Sequence, residues 1–405
     1  MSIVFIEANS TGTTSDAIRL ARRRGHQTVL VTMQPEFYAT LPDNPLDLCD
    51  RVIHSDTYNV AEILRAIRGI DVEAVIAFDD YHLSVAALCA MALGLPHADV
   101  RGLVAARYKD VARERTAPVA GAVRAQVVAE GRLGEVDLDA LPYPVIVKPV
   151  DESSSVAVRL CHRPEQVASA FDDYRHHVVN ARDYRPVRAL LIEEFVDGEE
   201  YSCELYFDRA AGWRVAALTR KFVTPPPHFV EVGHLVPAPV PAALRERVTA
   251  RVVQWLDAVG LRAGAAHVEL RIRDDEAYLI EINPRLPGGH ITQLVEWCTG
   301  IDLVGRYLDF HLAGGGAPDE REPAFAVAAS RFVLPEEVAA EKTNNDVYKC
   351  FTELSTFQRG RVQPGDRTVH RSHSNYDRVG YVLLAGSDEE TVEADLGLLV
   401  QRLKS

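Results

Sequence analysis

Apolar residues recur at every second position in two adjoining stretches, Val268, Leu270, Ile272 and then Tyr278, Ile280, Ile282, separated by the polar tip Asp274-Asp275-Glu276. This period predicts two antiparallel strands joined by a short turn. With the turn centred on Asp275, Glu269 faces Glu281 and His267 faces Asn283 on one side of the sheet. Upstream the pattern changes. Short apolar runs at Ser2 to Glu7, Val29 to Thr32 and Ala74 to Phe78 alternate with helical stretches at Ala17 to Arg24, Val60 to Arg68 and on to Leu93-Gly94, the order of a doubly wound, parallel α/β sheet. Prolines bracket a strand from Tyr143 to Pro149, a buried strand Leu190 to Ile192 runs into acids, and an amphipathic helix from Ala242 to Val259 leads to the hairpin. After the glycine-rich stretch 313–318, strands near Ala326 to Val333 and Val379 to Ala385 and a helix from Glu389 to Leu403 close the chain. The expected organisation is an α/β domain over 1–107, a central domain over 108–312 and a C-terminal α+β lobe over 313–405, packed on the central one.

Composition narrows the function classes. The 405 residues include 44 basic and 58 acidic ones, a formal charge of −14, which argues against nucleic acid as a partner. No apolar run approaches the roughly 20 residues that span a bilayer, so no membrane segment is expected. The start MSIVFIEANS has neither a basic n-region nor a cleavage site, and the expected location is cytoplasmic. Six dispersed cysteines without a Cys-x-x-Cys pair suggest reduced packing residues rather than zinc ligands or a disulfide framework. The turn at residues 10–15 lacks the glycine spacing of a dinucleotide site.

Candidate chemistry begins with the hairpin. Directly opposed carboxylates destabilise a strand pair, so Glu269 and Glu281 make sense with a cation between them; with the Asn283 amide oxygen they form a set suited to Mg²⁺. A solvated polar face is the competing reading. The loop that follows, Asn283-Pro284-Arg285-Leu286-Pro287-Gly288-Gly289, places a permanent cation before two glycines whose backbone N–H groups can approach an anion closely. Lys148 closes its strand just before Ser153-Ser154-Ser155, where hydroxyls and N–H groups can surround phosphate oxygens. Between Lys221 and His234, three prolines, aromatics, Glu231 and two histidines have the composition of a binding loop, with Glu231 and His234 as candidates.

The late Glu, the Glu-x-Asn and the Asn-Pro-Arg resemble the ATP-grasp superfamily, and the chain is most similar to its carboxylate–amine ligases, in particular the dipeptide-forming L-amino acid ligases. The resemblance covers about Lys109 to Gly289. It implies an ATP-grasp fold and ATP as cofactor, with Mg²⁺, or Mn²⁺ in its place, on Glu269, Glu281 and Asn283. Lys109, Lys148, Ser153, Ser154 and Ser155 would meet the phosphates, Glu193, Glu194, Phe195 and Val196 the adenine, and Glu200 the ribose. Arg285, Lys148, Gly288 and Gly289 form the implied catalytic set, and Glu231, His234, His267, Arg285, Gly288 and Gly289 the substrate candidates. The implied reaction forms an acyl phosphate from a carboxylate and ATP, which an amine converts to an amide with release of ADP and phosphate. The partners are thus small-molecule carboxylates and amines, with a homodimer as an allowed assembly. A carboxylase, a kinase or a catalytically inactive nucleotide-binding regulator are the alternatives, although no biotin-type Met-Lys-Met occurs. One departure stands out: His267 takes a position where several peptide-forming relatives place Arg.

Overall fold

In the computed structural model, strands β1 (Ser2–Ile6), β2 (Gln27–Thr32), β3 (Arg51–His54) and β4 (Val72–Ile76) form an all-parallel sheet in the order β3-β2-β1-β4. The structure describes residues 1–9, 11–39, 41, 43–226, 229–312, 321–363, 372 and 374–405; Ser10, His228 and the glycine-rich stretch 313–318 singled out above lie outside them. Alternate residues of the strands enter two separate cores, Val4, Ile6, Val29 and Val31 on one face and Ile3, Phe5 and Leu30 on the other. Helices cover both faces, which is why these strands read as continuous apolar runs. The edge strand β3 carries no such run and escaped the pattern. Arg51, Val52 and His54 are exposed, and backbone pairing with β2 alone makes them a strand.

A second, antiparallel sheet has the order β5-β8-β6-β7, from β5 (Ala125–Ala129), β6 (Val145–Pro149), β7 (Arg159–Cys161) and β8 (Ala189–Glu194). The helix Pro164–Tyr174 packs on it through Val167, Ala170 and Tyr174. The third sheet is the largest. It contains β9 (Glu199–Asp208), β10 (Gly212–Val223), β11 (Glu231–Val236), β12 (Ala265–Arg273), β13 (Glu276–Asn283), β14 (Val327–Val333), β15 (Phe357–Val362) and β16 (Gly380–Gly386), in the antiparallel order β13-β12-β9-β10-β11-β14-β16-β15.

The C-terminal lobe, expected to pack on the central domain, is joined to it through the sheet itself. The C-terminal strands continue the central sheet: β14 pairs with β11, with Gly233 opposite Arg331 and His234 opposite Ser330. The physical reason is the open edge of β11, whose N–H and C=O groups need partners that only a further strand supplies. Among the described residues, no helix is long and apolar enough to cross a membrane.

Candidate active site

The hairpin β12–β13 has the expected register across its inner half: Glu269 faces Glu281 and His267 faces Asn283. An irregularity after Glu269 then shifts the pairing, so that Leu270 meets Leu279. The turn residues Asp274 and Asp275 both have positive φ, 52° and 61°, as the twist of a tight hairpin requires. The cations that make the opposed carboxylates tolerable come from elsewhere in the chain. Lys221 Nζ lies 3.0 Å from Glu269 and Lys109 Nζ lies 3.0 Å from Glu281. Among the described residues, no group of three or more His, Cys, Asp or Glu side chains forms a metal cage. The donors are two carboxylates and the buried Asn283 amide, a hard oxygen set that fits Mg²⁺ when phosphate oxygens supply the remaining positions.

Lys148, at the end of β6, and Glu193, near the end of β8, share one buried ion-pair cluster. Lys148 Nζ is 2.7 Å from Glu193, Arg113 Nε donates to the same carboxylate at 2.8 Å, and both cations also donate to the Ile280 carbonyl. Burial pulls the Lys148 ammonium below its ordinary value, with Arg113 adding to the effect and Glu193 opposing it. Burial also works against the Glu193 charge, but Arg113 and Lys148 outweigh it and hold that carboxyl below the usual range. Glu193 therefore has its oxygens committed to cations and acts first as a support for Lys148. The Glu194 side chain turns outward to Arg124 at 2.6 Å, leaving its backbone as the part that can meet a base. The Val196 carbonyl accepts from Arg271 Nη1 at 2.9 Å, and the Arg271 guanidinium lies beside the paired rings of Phe195 and Phe229, 5.2 and 5.3 Å from their centroids. Arg271 also donates to Glu200 at 3.0 Å. Ser153 meets the Tyr81 hydroxyl at 3.0 Å, and Ser154 and Ser155, both with φ of 59°, line the same space.

On the other side of the hairpin, Lys221 gathers three acids. Its ammonium lies 3.0 Å from Glu231, 3.0 Å from Glu269 and 3.5 Å from Glu200. Burial opposes that charge, but the three carboxylates raise the lysine pKa well above its ordinary value. His267 bridges Glu204 at 2.8 Å and Glu269 at 3.2 Å. Burial again opposes the charge, and the two carboxylates win, pushing the imidazole up to about 9. At neutral pH it is an imidazolium, a second cation beside Glu269.

Arg285 is gripped by the N-terminal domain, with Nε and Nη2 each 2.8 Å from one oxygen of Asp80. This bidentate pair fixes the plane of the guanidinium. Gly288 faces Thr11, and Gly289 has φ of 61°; a Cβ there would come within 2.5 Å of His234 Cε1, so only glycine fits. His234 itself is fully buried, bound through Nδ1 to Ser330 at 2.8 Å. It lies behind Glu231 and Gly289 and does not reach the cavity wall, unlike the other sequence-derived candidates. Glu231 also meets Arg378 at 3.1 Å, and the loop residue His290 rests on Tyr381 of β16, 4.1 Å between ring centroids.

The hairpin acids with Asn283, Lys109, Lys148, Lys221, Arg271, Arg285, Arg378 and the two glycines line one continuous cavity. Sequence reasoning missed Lys221, Arg271, Arg378 and Asp80. Lys221 carries the same signal that exposed Lys148, a lysine at the end of an apolar strand followed closely by proline; the other three have no local signal.

The family described as "ATP-grasp domain" matches residues 141–293. The uncharacterised protein y4rH of Sinorhizobium fredii is 25% identical, over 99% of this chain and 82% of its own length. A D-alanine–D-alanine ligase of Geobacter sulfurreducens is 30% identical over 54% of this chain, and the match spans 64% of that enzyme, just under two thirds. Among solved structures, the L-amino acid ligase of Bacillus licheniformis superposes with a TM-score of 0.80 over 100% of this chain and 98% of its own, at 19% identity, a likeness of fold.

Proposed function

We propose that this chain, a member of the ATP-grasp superfamily, is an ADP-forming carboxylate–amine ligase that joins an amino acid or related carboxylate to an amine through an acyl phosphate. The reading rests on one arrangement: the opposed Glu269 and Glu281 with Asn283 share a cavity wall with Lys109, Lys148 and Arg285. The amino-acid ligases among the relatives support the choice of substrates.

The protein's share of the chemistry is electrostatic. Lys109 and Lys148 rest on carboxylates and are placed to exchange them for phosphate oxygens, which frees Glu281 without leaving a buried charge unpaired. Glu269, Glu281 and Asn283 would hold Mg²⁺, or Mn²⁺ in its place, whose charge would offset the negative charge that builds during transfer. Glu200 accepts ribose hydroxyls while Phe195 and Val196 border the adenine. Arg285 directs two donors to Asp80 and further ones to the Leu286 carbonyl and the Asn283 amide oxygen, and offers what remains to the acyl phosphate and the tetrahedral oxyanion, where preorganised donors act most strongly. Gly288 and Gly289 offer backbone N–H groups to a substrate carboxylate. Glu231, kept ionised by Lys221 ahead of His234 and Arg378 despite its burial, accepts an ammonium group.

Purified protein with Mg·ATP and a matrix of acids and amines tests this reading. ADP and phosphate release that needs both an acid and an amine, with a product of the mass of acid plus amine minus water, is the expected result. Accumulation of a phosphorylated acid with no dependence on amine would make it a kinase instead.

A further inference from the structure

The wall that the N-terminal domain contributes to the cavity has no part in the chemistry above beyond Asp80. It lies past the carboxyl ends of β1 and β4, neighbours in the sheet from which β2 and β3 extend on one side only. Such a switch point is where an open α/β sheet forms a ligand crevice. Ala8, Asn9 and Thr11 line it after β1, and Phe78, Asp79 and Tyr81 after β4. The segment ahead of β8 inserts Arg182 here. Its side chain is 7% exposed, stacks on Phe37 at 4.3 Å to the ring centroid, and directs Nη2 to the Tyr38 hydroxyl at 2.9 Å and to Glu7 and Asp79 at 3.4 Å.

The rest of this guanidinium is unaccounted for. Nε and Nη1 are both enclosed and have no hydrogen-bond partner, although Arg182 lines the cavity. Unpaired buried donors are rare in folded proteins, and charged ones are the most costly. Thr11, on the same wall, has a buried hydroxyl in the same condition. Glu7 and Asp79 already share the Arg182 charge, so the crevice suits a singly charged, planar acceptor better than a phosphate dianion. Asp79 meets Arg182 and its neighbour Asp80 grips Arg285, so the two arginines bind adjacent carboxylates of one loop.

We infer that Arg182 and Thr11 form a carboxylate subsite in the N-terminal crevice, and that one substrate bears a carboxylate in addition to its reacting group. This rests on the ligase reading for what happens at Arg285, but the subsite can be tested without turnover. The nucleotide-free protein is titrated calorimetrically with the C3 to C6 dicarboxylates, malonate to adipate, with monocarboxylates of matching length and with inorganic phosphate. At least one dicarboxylate should bind about tenfold or more tighter than its monocarboxylate partner, the scale of one charge-assisted hydrogen bond, and Arg182→Gln should abolish the preference while Arg182→Lys keeps part of it. Because Arg182→Gln strips the cation from Glu7 and Asp79 and risks the fold, Thr11→Val, which breaks no ion pair, is the second variant; it should weaken dicarboxylate binding a few fold and leave monocarboxylates unchanged. No dicarboxylate preference, a preference that survives Arg182→Gln, unchanged dicarboxylate binding in Thr11→Val, or binding of phosphate in place of dicarboxylates would each overturn the subsite. If the subsite binds as expected but no acid–amine pair releases ADP, it is the ligase reading that fails; if monofunctional acids and amines turn over as well as those with an extra carboxylate, the ligase reading stands and the subsite falls.

Discussion

The two carboxylates of the central hairpin face one another across a strand pair, yet their surroundings differ. Around Glu281 the cations Lys109, Lys148 and Arg113 meet only Glu281 and Glu193, an excess of positive charge in a buried space. Around Glu269 the cations Lys221, His267, Arg271 and Arg378 meet Glu200, Glu204, Glu231 and Glu269, a balanced network. The first suits the phosphates of a nucleotide, which bring the missing negative charge. The second suits a substrate carrying both signs, since either can find a partner without leaving the other unpaired.

The most damaging way to break this contrast is at the shared pair. Glu281→Gln keeps the size of the side chain but deletes the charge that Lys109 meets and that the proposed Mg²⁺ would need, and should lower kcat by more than about 10³ with the fold intact by circular dichroism; turnover within tenfold of wild type would sink the metal assignment. Lys221→Met strikes the balanced side. It leaves Glu200, Glu231 and Glu269 facing one another without their common cation, and denaturant unfolding should show a loss of about 3–5 kcal/mol. An undiminished midpoint would mean that the acids there are protonated.

Arg285 lies at the junction of the two sides. Arg285→Ala should reduce kcat by about 10²–10³ with little change in ATP affinity, and Arg285→Lys should recover part of the loss, because a point charge replaces a planar fork. A variant that loses ATP affinity but turns over normally at saturation would move Arg285 to the nucleotide. The smallest effect is one of pH. His267 titrates at about 9 in the folded protein, above its unfolded value of roughly 6.5, so its contribution is complete below that lower value and is lost as pH rises through the higher one. Stability should fall by an amount on the order of 1–3 kcal/mol across this window, and His267→Gln should flatten that part of the profile; an equally steep profile in the variant would assign the slope to another group.

The contrast also marks what was legible in the chain. Lys148 was visible because prolines delimit its strand, and Glu269 and Glu281 because a one-residue slip would turn every side chain of the hairpin to the wrong face. Lys221 had a comparable local setting and was passed over as part of a stiffened loop. Asp80, Arg271 and Arg378 had no such setting. Asp80 lies over 200 residues from Arg285 and Arg378 over 140 from Glu231, and nothing in their own neighbourhoods marks them. His234 looked like a substrate contact because it shares a segment with Glu231; it is on the same face as Lys221, its partner on β10, but Glu231 and Gly289 cover it and its Nδ1 bonds Ser330 on the neighbouring strand.

The alternation that makes β1, β2 and β4 a parallel sheet and the opposition of two acids follow from the sequence alone, since period and chain punctuation act over a few residues and decide which side chains share a face. Tertiary structure decided which cation each acid meets, that β14 to β16 extend the central sheet, and that Arg182 reaches the N-terminal crevice with donors to spare. Pairings of this kind depend on desolvation and on distances between segments far apart in the chain, and a burial shared by several elements is written in none of them separately.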